Sequence, residues 1–302
     1  MRRKARAFTL IEVVVALAIT LVLAATLVVV VRGLLNVWQR SQGAGVGAIE
    51  AKLALDQLER DIQATILRPD GNAWLDVRVL ADSDLAAHGW TASGTLIKPV
   101  VESMRLLPNG PITEARFGRG GVWLRLVTSD YDGDAGETQP VAVSYQVVRR
   151  AVSSGAGAPV GYALFREKMS AKATFDEVVG DGYAASGPSA LTSVENGDVL
   201  ASNVVDFGVG VFGRAEDGRL ERLFPMNNAV PNTAPFPAAG EPVVVEVLIR
   251  VLSDRGAALV EAMESGRVAR PAGQSAGEWW WSVVEAHSRV YSRRIEVKAR
   301  AW

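Results

Sequence analysis

Ala7-Phe8-Thr9-Leu10-Ile11-Glu12, followed by an almost unbroken apolar run from Val13 to Val31, is the stretch from which the rest of the chain takes its organisation. Only Thr20 and Thr26 interrupt the run, and at helical rise it is long enough to cross the hydrocarbon core of a bilayer. The expectation is a transmembrane helix. Glu12 is the exception inside it. A carboxylate in such a segment costs roughly 2.5 to 3.5 kcal/mol at a helix centre and less towards an end, so a partner for it is expected. The basic cluster Arg2, Arg3, Lys4 and Arg6 ends just before Phe8. The positive-inside rule keeps that cluster cytoplasmic and puts everything after Arg32 on the far side of the membrane.

A short positive leader, a small residue, Phe, three uncharged residues and then Glu resemble the N-terminal signature of type IV prepilins and type II secretion pseudopilins. In that family a prepilin peptidase of the inner membrane cuts before the Phe and methylates the new amine. The resemblance implies a leader at residues 1–7, a scissile bond between Ala7 and Phe8, and Glu12 near the start of the mature chain. The family's usual residue before the cut is Gly, where this chain has Ala7.

A chain cut there begins with a cation at Phe8, one helical turn from the anion at Glu12, both at membrane depth. When such helices pack side by side with a small axial stagger, Glu12 of one meets the terminal amine of its neighbour, and the pair offsets two desolvation costs. A wrong stagger leaves both charges unpaired, so Glu12 acts as a register device for assembly. Two other readings fit a positive region followed by an apolar one. A secretory signal peptide would be cut near Leu23-Ala24-Ala25, and an ordinary single-span anchor would not be cut at all. Against the first, the apolar run continues to Val31 beyond that site.

At 302 residues the chain leaves, after the membrane segment, enough length to bury a full core. Net charge is −1, and loss of the four basic leader residues takes it to about −5, so no basic surface remains for nucleic acid. There is no cysteine, which excludes disulfides and thiolate metal sites.

Beyond the span, Arg32–Gln42 continues the helix until Gly43-Ala44-Gly45-Val46-Gly47, where three glycines are expected to interrupt it with a flexible joint. From Ala48 to Arg68 the period is helical again: Ile49, Leu53, Leu58, Ile62 and Ile66 make a stripe that Leu55 widens. Asp56 and Arg60 are spaced as an i,i+4 pair, and Pro69-Asp70-Gly71 ends the helix. The stripe is expected to dock on a sheet. With its Leu58–Asp61 element this helix is similar to the second half of the long helix of pseudopilins, most of all the J-type minor pseudopilin.

After Pro69, short β-like runs alternate with Gly, Pro, Asn and Asp. The expected strands are 100–107, 121–128, 141–149, 162–167, 204–212, 220–224, 243–252 and 290–299, with a short helix at 257–264. Glu216-Asp217-Gly218-Arg219 should make a hairpin, and Asp132-Gly133-Asp134 with Gly136 another tight loop. Ser153–Pro159 and Asn227–Gly240 are expected as surface excursions. Trp279-Trp280-Trp281 is expected to be extended, with two rings on one face, for packing or for a partner.

Signals for small-molecule chemistry are weak. Gly208–Gly213 matches G-x-G-x-x-G, but a turn follows where a dinucleotide site needs a helix. Asp130, Asp132 and Asp134 are spaced like the first ligands of a Ca²⁺ loop, yet the Gly is at the wrong offset and Val141 stands where a Glu is needed. Whether that loop takes Ca²⁺ is open. His88 and His287 are in no metal-ligand spacing.

The expected architecture is α+β: leader 1–7, an N-terminal helix over 8–68 with its membrane half at 8–31, and a mainly antiparallel β domain over 69–302. No catalytic residue, metal or cofactor is expected; the chain is expected not to be an enzyme. The resemblance implies a minor pseudopilin that joins or starts a type II secretion pseudopilus. Its partners would be the prepilin peptidase, other pseudopilins or pilins, the membrane and, indirectly, the assembly platform with its ATPase. A minor pilin of a type IV pilus or DNA-uptake system, and a membrane-anchored periplasmic enzyme or ligand-binding domain, are the alternatives.

Overall fold

The computed structural model describes residues 10–67, 73–79, 105–107, 110–118, 121–132, 136–151, 160–179, 198–226, 232–236, 241–298 and 300–301. Ala7, Phe8, His88, Pro69-Asp70-Gly71, Asp134 and the expected excursion 153–159 lie outside these residues. The chain divides into two compact units, Met1–Val46 and Gly47–Trp302.

Helical backbone is assigned over Leu10–Gln63 (α1), Gly43–Gly47 included, and the division between the two units falls at these glycines. In the first unit Leu17, Leu21, Leu23, Leu27 and Val30 are exposed. Among the described residues no helix is long and apolar enough to cross a membrane, the side chains of 12–16 being outside that set.

The second unit is built from antiparallel sheets. Six strands lie in the order β6-β5-β4-β3-β2-β9: β2 (Leu75–Val79), β3 (Val122–Asp132), β4 (Glu137–Ala151), β5 (Val160–Lys168), β6 (Asp198–Ser202) and β9 (Asn232–Phe236). Four more lie in the order β11-β10-β7-β8: β7 (Val204–Arg214), β8 (Leu220–Phe224), β10 (Pro242–Leu252) and β11 (Ser288–Glu296). The chain passes from one sheet to the other at Asn203, whose φ of 58° takes the left-handed turn that Asn tolerates better than most residues. β7 touches β3, β4 and β5, so the two sheets share one core. Two helices, α2 (Asp254–Glu264) and α3 (Ala276–His287), occupy the connection between β10 and β11.

Strands that are buried on both faces read as apolar runs, not as alternation, and β7 and β10 are of this kind. That is why the runs at 121–128, 141–149, 162–167, 204–212 and 243–252 were legible; 220–224, of which only Phe224 is buried, was legible from the turn that precedes it. β2, β6 and β9 are short, and their neighbours supply the reason for their pairing. Part of the expected excursion 227–240 is thus an edge strand, with Ala234 and Phe236 buried. At the expected strand 100–107, only Arg105–Leu107 is described. There Arg105 makes an isolated bridge with Arg116.

α1 ends at Gln63, before Pro69 is reached, because its last carbonyls find partners. The Asp61 carbonyl accepts from the hydroxyls of Thr65 (3.1 Å) and Thr128 (2.8 Å). Thr65 then bridges to Thr128, and Ile66–Leu67 (β1) pairs in parallel with Arg300–Ala301 (β12). Ile66 therefore belongs to a strand and not to the helical stripe.

Trp279-Trp280-Trp281 is helical, not extended. Ser275 caps α3, accepting from the Glu278 N–H while the Glu278 carboxylate reaches back to the Ser275 N–H, a capping box that outweighs the β preference of the three tryptophans. At helical spacing Trp280 and Trp281 are both buried, with ring centroids 5.0 Å apart in an edge-to-face pair.

Candidate functional site

The residues that the sequence singles out for assembly lie at the start of the chain. Glu12 sits in the first turns of α1; its backbone is helical and its side chain is outside the described set, as are Ala7 and Phe8. What the structure does show is how the C-terminal part of the same helix is fixed to the β unit.

That part, from Gly47 onward, buries Ala51, Ala54, Leu55, Leu58 and Ile62, a stripe at i, i+3, i+4, i+7 and i+11. Ile49 and Leu53, expected in the docking stripe, are 63% and 59% exposed and face away from the core. Small alanines at 51 and 54 let the helix come close to the sheets, which is why the buried face was shifted from the one drawn through the larger residues.

In the middle of this face stands a carboxylate, Asp61, only 4% exposed. Arg166 of β5 donates Nε to Asp61 Oδ2 (2.8 Å) and Nη2 to Oδ1 (3.3 Å), Gln57 donates to Oδ1 (3.0 Å), and the Tyr145 hydroxyl of β4 also donates to Oδ2. Arg166 continues to Asp130 (3.1 Å), which Lys168 approaches at 3.5 Å. Burial, followed by the adjacent Asp61 charge, pushes the Tyr145 hydroxyl well above its usual value, so it remains a donor throughout the accessible pH range. Partial burial tends to raise Asp130, but the Tyr131 N–H and the Arg166 guanidinium together hold it below its ordinary value. A buried network with its members satisfied fixes geometry more than it adds stability.

Further clamps flank the node. Glu50 accepts from the Ser202 N–H at the end of β6 (2.7 Å), and Arg293 of β11 reaches both Asp56 (2.5 Å) and Glu59 (2.7 Å). Asp56 thus pairs with Arg293; the expected partner, Arg60, instead donates to the Asp56 carbonyl and to Gln57. The helix is tied to both sheets by these contacts.

The other motifs have structural roles. Gly208 of the G-x-G-x-x-G run lies inside β7, where the Phe117 ring occupies the place of a side chain: a Cβ would stand 2.2 Å from it. Next to it Asp206 is fully buried, accepts from the Phe117 N–H (3.2 Å) and lies 3.8 Å from Arg250. Asp130 is engaged by Arg166 and Lys168, and the backbone of Asp132 pairs in register with that of Glu137 at the end of the β3–β4 hairpin. Among the described residues no three His, Asp or Glu side chains converge as a metal site. His287 ends α3, its Cβ lying where a side chain on Gly256 would go.

The same region contains a cleft of about 240 Å³ between β5, β10 and α2, lined among others by Arg149, Tyr162, Asn203, Val260 and Glu264. Glu264 Oε1 accepts from the Tyr162 hydroxyl (2.5 Å) and Trp280 Nε1 (2.9 Å), and Arg149 Nε meets Oε2 at 2.6 Å. Neither this set nor Asp61–Tyr145–Arg166 was assembled from the sequence, because their members are 13 to 131 positions apart. For Asp61 a signal did exist: an acidic residue on the same helical face as Leu58 and Ile62.

Comparison with known proteins bears on the N-terminus. Residues 2–28 match the prokaryotic N-terminal methylation motif. The chain has a prepilin-type start. The matched span includes the basic leader, Ala7, Phe8, Glu12 and most of the apolar run. It supports a subunit of the type IV pilin and pseudopilin kind, with processing by a prepilin peptidase, assembly with other pilins and anchoring through the N-terminus. No curated protein matches the chain, and no solved structure matches it.

Proposed function

We propose that this chain is a minor pseudopilin, most like the J-type. It joins or starts a type II secretion pseudopilus at the bacterial inner membrane, spans it once through Val13–Val31, and holds its β unit in the periplasm. The observation that carries the proposal is the match of residues 2–28 to the methylation motif, a span that contains Ala7, Phe8 and Glu12; in this reading Ala7–Phe8 is the processing site and Glu12 the register residue. The anchoring of the helix supports it. The Asp61–Arg166–Tyr145 node with the Arg293 clamp fixes the part of the helix after Gly47 on the β unit, as a subunit with a helix-docked surface domain requires.

In this reading the chain performs no covalent chemistry. Glu12 aligns the helix with its neighbour's terminal amine, apolar helix faces make the filament core, and the β unit presents the partner-specific surface. Force comes from the platform and its ATPase. Glu12→Ala removes the register charge while leaving the apolar run intact. The expected result is normal membrane insertion and a folded β unit, with loss of incorporation as read by crosslinking to neighbouring subunits. Incorporation at the wild-type level would overturn the register argument.

A further inference from the structure

The cleft lies at the end of β5. β5 pairs with β4 along its length, so that Val160 and Gly161 face Ala151 and Arg150. On its other side β6 pairs with it only from Ala163 onward, because the chain leaves that sheet at Asn203. Among the described residues no strand covers Val160 and Gly161 on that side, and an open strand edge is a template for another extended chain. Gly161, Asn203 and Arg149 all line the cleft.

Arg149 supplies a second, independent sign. The residue is only 8% exposed, and its Nε lies 2.6 Å from Glu264 Oε2 as an ion pair, but its Nη1 is buried and has no hydrogen-bond acceptor among the described residues, nor has that Oε2 a hydrogen-bond donor. A buried cationic donor without an acceptor is costly. A single water would occupy roughly 30 Å³, whereas the cleft has about 240 Å³. Its charges are already matched: Arg149 with Glu264, and Glu261 with Arg267 at 2.7 Å. An added carboxylate would meet two glutamates, whereas a peptide carbonyl offers the missing acceptor with no net charge. Leu252, Ala257 and Val260 give the remaining wall an apolar surface for a small side chain.

We propose that this cleft binds an uncharged, extended segment of a partner polypeptide, added beside Val160–Gly161 with one carbonyl accepting from Arg149 and a small apolar side chain against Leu252, Ala257 and Val260. The proposal needs no filament, so it stands or falls separately from the pseudopilin reading.

The test uses the full chain in detergent micelles and saturation-transfer NMR with N-acetyl-alanyl-valyl-alaninamide. Its glutamyl counterpart, N-acetyl-alanyl-glutamyl-alaninamide, and sodium propionate are the charged comparisons. Replacing Arg149 leaves Glu264 buried without its cation and risks unfolding. Ala258→Phe, at an exposed position on the cleft wall, fills the space without touching the buried pairs. The expected result is transfer to the neutral peptide at millimolar concentration, weaker by about tenfold or more in Ala258→Phe at unchanged melting temperature. Equal transfer in wild type and Ala258→Phe, no transfer to the neutral peptide, or preference for propionate or the glutamyl peptide would overturn it.

Discussion

Helix α1 carries two carboxylates in apolar company, and they are in opposite situations. Glu12 lies at the head of a run from Val13 to Val31 that offers it no cation. Asp61 lies in the buried face of the helix's last turns and is met there by Arg166, Tyr145 and Gln57 from the same chain. A charge in apolar surroundings persists when it is paired, and the cost of leaving it unpaired is what gives it specificity. Asp61 finds its partners on folding and fixes one helix on one β unit. By the pseudopilin reading, Glu12 finds its partner on assembly and fixes one subunit beside another. The difference teaches that the same physical device sets register within a chain and between chains.

The comparison is broken most forcefully at Asp61. Asp61→Ala leaves the Arg166 guanidinium buried without its main counter-charge, and loss of one partner of such a pair costs about 3–5 kcal/mol. Chemical denaturation of the full chain should show this as a lower midpoint, while Glu12→Ala leaves the midpoint unchanged. If Asp61→Ala proves neutral, the node does not anchor the helix.

A second test concerns a buried carboxylate with weaker pairing. Burial raises Asp206 from 3.8 to about 7, against the opposing effects of Arg250 and the Phe117 N–H. The folded chain therefore keeps this proton to a higher pH than the unfolded chain does. The stability it contributes is complete below about 4 and is lost as pH rises through about 7. The melting temperature should fall over that window, by an amount on the order of a few kcal/mol in free energy, and Asp206→Asn should flatten the fall. A pH profile unchanged by the substitution would mean that Asp206 does not titrate there.

The smallest effect is expected at the rim. Arg293 holds Asp56 and Glu59 where all three side chains are partly exposed, 25%, 39% and 36%. Solvent screens such pairs, so Arg293→Ala should cost no more than about 1 kcal/mol and the loss should shrink in high salt. A loss as large as that at Asp61 would make the clamp an anchor of equal rank.

How much of this was legible in the sequence follows from where the signals reside. Ala7, Phe8 and Glu12, the residues expected to serve processing and register, stand in one contiguous motif and so could be named directly, and the match over residues 2–28 includes them. Five long strands, β3, β4, β5, β7 and β10, were visible as apolar runs between turn residues. The docking face was misplaced because Ile49 and Leu53 are larger than the alanines at 51 and 54 that actually meet the core. Helix α3 was hidden because three consecutive tryptophans favour a strand, while its capping pair, Ser275 and Glu278, is a signal of two residues only. Asp61, Tyr145 and Arg166 were invisible as a group because only the sheet order brings them together.

The central claim is that the chain is processed and assembled as a prepilin, and it is tested most directly by N-terminal peptide mass on protein purified from its native membrane. A chain beginning at N-methylated Phe8 is the predicted result. A chain beginning at Met1, or near Ala25, would contradict it and make the β unit the cargo of an ordinary anchor or secretory signal.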